Sequence, residues 1–252
     1  MRIVRFSYKK RVYFGIQEKE KLRLLKSPPF EKIKPGRNLV PLSAVKILTP
    51  TEPSKIVLVG LNYRDHALEL KMLVPQEPVI FLKPPTASLA HNGSIIYPAG
   101  VGQLDYEAEL AIVIRKTAGN IVPARVKDYI LGYTCLNDVT ARDLQKKDIQ
   151  WTRAKSFDTF CPFGPWVETD LEPNKARIVS RLNGVVKQDS NTSNFIFPVE
   201  SLVSFVSSVM TLFPGDVIST GTPPGVGPMQ PGDTVEVEIE GIGILKNPVK
   251  SA

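Results

Sequence analysis

A chain of 252 residues can bury a sizeable core, and with 42% hydrophobic and 23% charged residues its composition is that of a globular protein rather than a disordered one. Its net charge of +7 comes from basic residues scattered among acids, with no basic stripe carrying interleaved aromatics, which argues against a nucleic-acid-binding module and suits a cleft that attracts small anions. No apolar run approaches the roughly 18 residues of a membrane span, MRIVRFSYKKRVYFG lacks the hydrophobic block of a signal peptide, and two separated cysteines, Cys135 and Cys161, fit packing residues in a reducing cytoplasm.

Along the chain, RIVRFSY and RVYFGIQ read as short strands. With the Pro-containing KSPPFEKIKPGRNLVPLSAV they predict a small N-terminal domain over residues 1–50. TPTEPSK then serves as a linker, because its prolines and small polar residues break regular structure before IVLVG begins the main domain, residues 51–252. YRDHALEL predicts a helix, whereas PVIFLK, ELAIVI, YILGYTCLN, RIVSRLNGVVKQ and TVEVEIEGIGILKN predict strands from their β-branched and apolar content. Asn183-Gly184 marks a hairpin turn, and Pro214-Gly215-Asp216 and Pro231-Gly232-Asp233 mark further turns. TARDLQKKDIQ and PVESLVSFVSSVMTLF predict two more helices, the second with Pro198 in its first turn and Leu202, Val203, Val206, Val209, Met210 and Phe213 on one buried face. The expected class is α+β, rich in strands and poor in helices.

LDYEAELAIVIRK raises a chemical question. On a strand Glu107 and Glu109 share a face, and two like charges this close repel unless solvent or a cation intervenes. A solvent-facing strand edge would explain them, but AIVIR is apolar on both faces, as for a strand entering a core, and a buried carboxylate pair needs a counter-charge. Nitrogen and sulfur ligands are scarce, whereas carboxylates suit Mg²⁺, Mn²⁺ or Ca²⁺. A third acid, Asp138, follows the strand YTCLN and precedes a predicted helix. It is either a functional group at a strand end or a helix cap competing with Thr140, and a helix beginning near it would carry Arg142 and Gln145 on its face. GTPPGVG lacks the Lys-Ser/Thr ending of a phosphate loop and reads better as a site loop.

The ordered blocks VGLNYRDHALEL, PVIFLKPPTA, LDYEAELAIVI, LGYTCLNDVTARDLQ, WTRAKSFDTFCPFGPWV and PGDVISTGTPPGVGPMQPGD, between about residues 56 and 246, closely resemble the fumarylacetoacetate hydrolase family. That resemblance implies a mixed β-sandwich roll with few helices, a small N-terminal domain and a homodimer. It implies Mg²⁺ or a similar ion on Glu107, Glu109 and Asp138, a catalytic His66–Glu69 dyad, Lys155 facing the bound substrate, and Arg142, Gln145 and Thr222 lining the pocket. Lys83 in FLKP adds a further anion contact, while Asp105 has no role to carry over and reads as a turn or surface acid.

The resemblance also implies a small anionic 2-oxo acid as substrate, such as an acylpyruvate, whose carboxylate and 2-oxo oxygens chelate one ion acting as a Lewis acid. The expected activity is metal-dependent carbon–carbon hydrolysis through a metal-stabilised enolate. Isomerisation or tautomerisation of related 2-oxo diacids such as 2-hydroxyhepta-2,4-diene-1,7-dioate, or decarboxylation of oxaloacetate, is the alternative, because a fold does not choose its reaction.

Overall fold

A computed structural model describes residues 1–252. Its organisation follows from the alternation of side chains on one central strand, Ala108–Ile114, every residue of which is buried. Ala108, Leu110, Ile112 and Ile114 enter the largest core, where they meet Tyr133, Cys135 and Ile218 of neighbouring strands, Ile178, Val237, Ile239 and Leu245 of a second sheet, and Val199, Val203 and Val206 of a helix. The opposite face carries Glu109, Ala111 and Val113. Ala111 joins a smaller cluster with Ile56, Leu58, Leu136 and Phe163.

Two sheets therefore enclose the main core. The first has twelve strands, with the main-path order Pro35–Pro41, Lys21–Leu25, Arg11–Glu18, Arg2–Tyr8, Cys161–Glu168, Ile130–Asn137, Ala108–Ile114, Val217–Ser219, Ile56–Val59, Ile80–Lys83. The second has five, in the order Val185–Asn191, Arg177–Leu182, Thr234–Ile239, Gly243–Ser251, Ile95–Tyr97. Most pairings are antiparallel, but Val217–Ser219 runs parallel to Ile56–Val59, so the large sheet is mixed. A three-stranded sheet of Thr140–Ala141, Leu104–Tyr106 and Gly227–Met229 lies beside them. This is the β-rich architecture that the strand patterns predict.

The first fifty residues bury a small cluster of their own, Val4, Phe6, Leu22 and Val40. They also extend the large sheet, because Arg2 and Ile3 pair with Glu168 and Val167, and Ile3 packs with Val113, Leu131 and Val167. The 183–184 hairpin forms as predicted: Leu182 pairs with Val185 across Asn183 and Gly184, at φ of 52° and 80°, the left-handed conformations that a two-residue turn of this type requires.

Two helices depart from expectation. The helix predicted to run to Phe213 spans only Val199–Val209, with Pro198 as its N-cap rather than in its first turn. Met210 turns extended and Leu212 bridges Ala118, so strand pairing overrides the apolar period and leaves Val209 and Phe213 half-exposed. The helix sought near Asp138 begins only at Arg142, spanning Arg142–Lys147, and a separate turn of helix covers Thr152–Lys155. No helix is long and apolar enough to cross a membrane.

Candidate active site

LDYEAEL changes sheets in its middle. Leu104–Tyr106 belongs to the three-stranded sheet and Ala108–Ile114 to the large one, so Glu107 sits at the crossing. Backbone register brings the third acid alongside: Ala108 pairs with Asn137, the Asn137 side-chain oxygen accepts from the Glu107 N–H at 2.9 Å, and the Asp138 N–H donates to the Glu107 carbonyl at 2.9 Å. Glu107, Glu109 and Asp138 consequently converge, with one carboxylate oxygen from each within 4.8 Å of the others and all three residues buried. Asp138 caps no helix, since the following helix starts from Ala141 with no side-chain cap. The Thr140 hydroxyl instead lies within donating distance of both Glu107 Oε1, at 3.0 Å, and the Asp138 carbonyl, at 2.9 Å, its one proton serving either.

Cations surround two of the three acids. The Lys155 ammonium lies 3.1 Å from Glu107 Oε2 and 2.5 Å from Asp138 Oδ2, and Lys83 reaches Asp138 Oδ1 at 2.5 Å from the other side. Arg142 donates to Glu107 Oε1 at 2.6 Å, to Gln145 Oε1 at 2.5 Å and to Asp105 Oδ2 at 2.7 Å. Asp105, expected at a turn or on the surface, is thus 2% exposed and anchors the arginine that holds Glu107. Burial opposes ionisation of Glu107, but Lys155 and Arg142 outweigh it and hold this carboxyl at about 2.

Glu109 has no such partner. It accepts hydrogen bonds from Ser219 and, at 3.0 Å, from the Gly221 N–H, and neither brings a full charge. Burial first, then Asp138 and Glu107, push its carboxyl well above the ordinary range. A buried acid that is repelled by two others lacks a positive charge, and an oxygen-only donor set of three carboxylates fits a hard divalent cation. The residues present therefore suit Mg²⁺, Mn²⁺ or Ca²⁺ without distinguishing among them.

The second chemical unit comes from the Arg64–Leu70 helix. Spacing of i, i+3 puts His66 and Glu69 on one face, and His66 Nδ1 lies 2.7 Å from Glu69 Oε2. A carboxylate only accepts, so Nδ1 donates to it, and in the neutral imidazole Nε2 is then the free acceptor. The GTPPGVG segment ties the two units together. Its Gly221 N–H serves Glu109, and its Gly225 N–H donates to Glu69 Oε1 at 3.1 Å. Gly221 sits at φ +88°, and a Cβ there would approach Asn62 to 3.0 Å and the Gly60 carbonyl to 3.1 Å, so only glycine gives this approach. Thr222 hydrogen-bonds the Ala108 carbonyl and Gln188.

A cavity of about 290 Å³ opens over this ensemble. His66, Glu107, Asp138, Arg142, Gln145, Lys155 and Thr222 line its polar side, and Leu70, Met72, Phe81 and Trp151 face them. Lys155 also lies 5.1 Å from the centre of the Phe81 ring, which packs edge-on against Trp151. Lys83 is different. Its side chain is fully buried, and beyond Asp138 its ammonium donates to the Val139 carbonyl at 2.9 Å and to that of Phe160, which places it beneath the pocket instead of in it. Asp105, Thr140 and Ser219 were not anticipated as site residues, whereas Gly221 and Gly225 belong to the segment read as a site loop. Cys135 and Cys161 are buried free thiols that burial pushes up to about 12, so they are inert packing groups.

Sandwich, acid triad and dyad together define a family of enzymes. The family model described as fumarylacetoacetate (FAA) hydrolase C-terminal matches residues 55–250, and Rv2993c-like, N-terminal matches residues 1–50. The chain belongs to the fumarylacetoacetate hydrolase family. A 5-carboxymethyl-2-hydroxymuconate delta-isomerase structure from Mycobacterium smegmatis is 44% identical, with a TM-score of 0.94 and full coverage of both chains. The mitochondrial oxaloacetate tautomerase Fahd2a of Rattus norvegicus is 42% identical over 84% of this chain and 71% of its own length. A maleylpyruvate hydrolase from Sphingobium sp. SYK-6, in complex with manganese(II) ion and pyruvate, is 27% identical, with a TM-score of 0.83 and full coverage of both chains.

Proposed function

We propose that the protein is a divalent-metal-dependent hydrolase that cleaves the carbon–carbon bond of acylpyruvate-type 2-oxo acids. The observation that carries this reading is a histidine–carboxylate dyad, separate from the acid triad, whose histidine opens on the same cavity. A divalent ion held by Glu107, Glu109 and Asp138 would supply Lewis-acid polarisation of the substrate's carboxylate and 2-oxo oxygens. Lys155, against two of those acids, offers positive charge where an oxygen gains electrons. Glu69 holds the Nδ1–H of His66, leaving Nε2 to take a proton from water as that water adds to the distal carbonyl. The carbon–carbon bond then breaks, its electron pair passes to the pyruvate enolate, and the proton returns to carbon. The products are pyruvate and a carboxylic acid. Arg142, spent on Asp105, Glu107 and Gln145, orients Glu107 and Gln145.

A second reading is a tautomerase, isomerase or decarboxylase of 2-oxo diacids, favoured by the likeness to the rat oxaloacetate tautomerase and the mycobacterial isomerase. It needs no attacking water, only proton transfer or loss of carbon dioxide beside the same 2-oxo group. Two buried free thiols support a reducing, cytoplasmic setting, and the family resemblance supports a homodimer. The test is a screen of acylpyruvates, oxaloacetate and 2-hydroxyhepta-2,4-diene-1,7-dioate with Mg²⁺ and Mn²⁺. Pyruvate release from an acylpyruvate, abolished by chelation, is the expected result. Keto–enol interconversion of oxaloacetate without any carbon–carbon cleavage would replace the hydrolase reading with the second one.

A further inference from the structure

Lys83 ends the edge strand of the large sheet, yet its side chain is fully buried. Its ammonium donates to the Val139 carbonyl at 2.9 Å and to that of Phe160, and its charge lies 2.5 Å from Asp138 Oδ1. Such a lysine is costly to bury unless its charge is used, and the geometry points to an electrostatic use: Lys83 is a positioning residue that holds Asp138 from behind and keeps the metal-loaded centre net positive, so that the centre can retain an anionic ligand.

Charge counting shows why one buried lysine matters. Glu107, Glu109 and Asp138 bring three negative charges, Lys83 and Lys155 two positive ones, and Arg142 is balanced by Asp105. A divalent ion leaves this centre with one excess positive charge. Without Lys83 it would be neutral, and the attraction for a carboxylate or a developing enolate would fall. The same charge repels the metal itself. Removing it therefore moves two affinities in opposite directions, which loss of a merely structural lysine would not do.

This inference rests on the assignment of the three acids as a divalent-ion site, and the experiment separates the two. In wild type and Lys83→Met, Mn²⁺ affinity is measured by electron paramagnetic resonance, and pyruvate affinity is measured by calorimetry at saturating Mn²⁺. The expected variant binds Mn²⁺ at least as tightly as wild type and binds pyruvate about 10-fold or more weakly, as removal of a unit charge several ångströms away predicts. Weakening of both affinities would make Lys83 a scaffold residue only, and unchanged pyruvate affinity would remove its electrostatic role; either overturns the inference. Failure of wild type to bind Mn²⁺ would instead sink the metal-site assignment. If the variant does not fold, amine acetylation of native wild type followed by mass mapping decides. Lys83 should stay unmodified with and without Mn²⁺ and pyruvate, and modification that pyruvate blocks would make it a direct ligand contact, against the inference.

Discussion

Replacing Glu109 by glutamine should stabilise the metal-free protein and remove its response to metal. Glu109 is 1% exposed, pairs with no lysine or arginine, and has one oxygen within 4.8 Å of oxygens of both Glu107 and Asp138. At an effective dielectric constant near 20, each like-charge pair at that distance costs about 3.5 kcal/mol. Holding a proton is the cheaper course. Relative to an ordinary value of 4.5, a proton kept in the folded state costs stability that grows as pH rises above that value. The sign follows from a raised carboxyl. Above pH 4.5 the folded state keeps a proton that the unfolded state releases, so wild-type stability falls as pH rises toward the folded value. Glutamine holds no such proton and can still accept from Ser219 and Gly221. Metal-free Glu109→Gln should therefore melt higher than wild type at pH 7, by about 2 to 4 °C per kcal/mol, with a smaller gap at pH 5. Mn²⁺ at a hundred times its dissociation constant should add about 2.7 kcal/mol to wild type and nothing to the variant. A variant that melts lower than wild type without metal at pH 7, or that is still stabilised by Mn²⁺, would refute the reasoning.

His66→Ala should lower acylpyruvate hydrolysis by about 10²- to 10⁴-fold, the contribution of a positioned general base, while Mn²⁺ affinity measured by calorimetry stays near wild type. Asp105→Asn removes one of the two buried carboxylates that pair with Arg142 and should destabilise the protein by about 3 kcal/mol or less in urea denaturation, the cost of breaking a buried ion pair outright. Glu107, held at about 2, should protect the fold in acid. Its ion pairs contribute fully above pH 4.5 and are lost as pH falls toward 2, so Glu107→Gln should flatten the loss of stability between those values. Sedimentation at micromolar concentration should show a dimer.

The parts of this molecule legible in its sequence are those fixed by local period or by contiguous motif. Alternation announced the Ala108–Ile114 strand and put Glu107 and Glu109 on one face; helical spacing joined His66 to Glu69; the Asn183-Gly184 pair fixed a hairpin. Asp105 was misread because alternation says which side chains share a face but not what covers that face. Its partner, Arg142, lies 37 positions away on a helix that starts four residues after Asp138. Lys83, read as an anion contact, meets the buried Asp138 carboxylate rather than the cavity. Nothing local to its short strand shows that the Val139 and Phe160 segments fold over it. The last helix ran long in prediction because Met210 and Phe213 continue its apolar period, whereas the bridge between Ala118 and Leu212 draws the chain into extended backbone.

The way each part of the site is held bears on why one architecture accommodates different reactions. Glu107, Glu109 and Asp138 stand on or next to adjoining strands whose register fixes their separation, and Ser219 comes from the next strand over, where it pairs with Ala111. Shifting any of these acids would require slipping a strand of the main core, and a slip of one residue would turn its apolar face outward. The acid centre is consequently rigid. His66 and Glu69, by contrast, stand on a seven-residue helix that leaves Leu68 and Leu70 exposed, and Glu69 is tied to the rest of the site through the Gly225 N–H. The facing wall includes Leu70 and Met72, both about half-exposed. Substitutions there cost little core packing, so water access and the reach of the base can change while the acid centre stays fixed. On the proposed reading, enolate chemistry belongs to the sheet, and the choice between adding water and moving a proton belongs to the helix and wall above it.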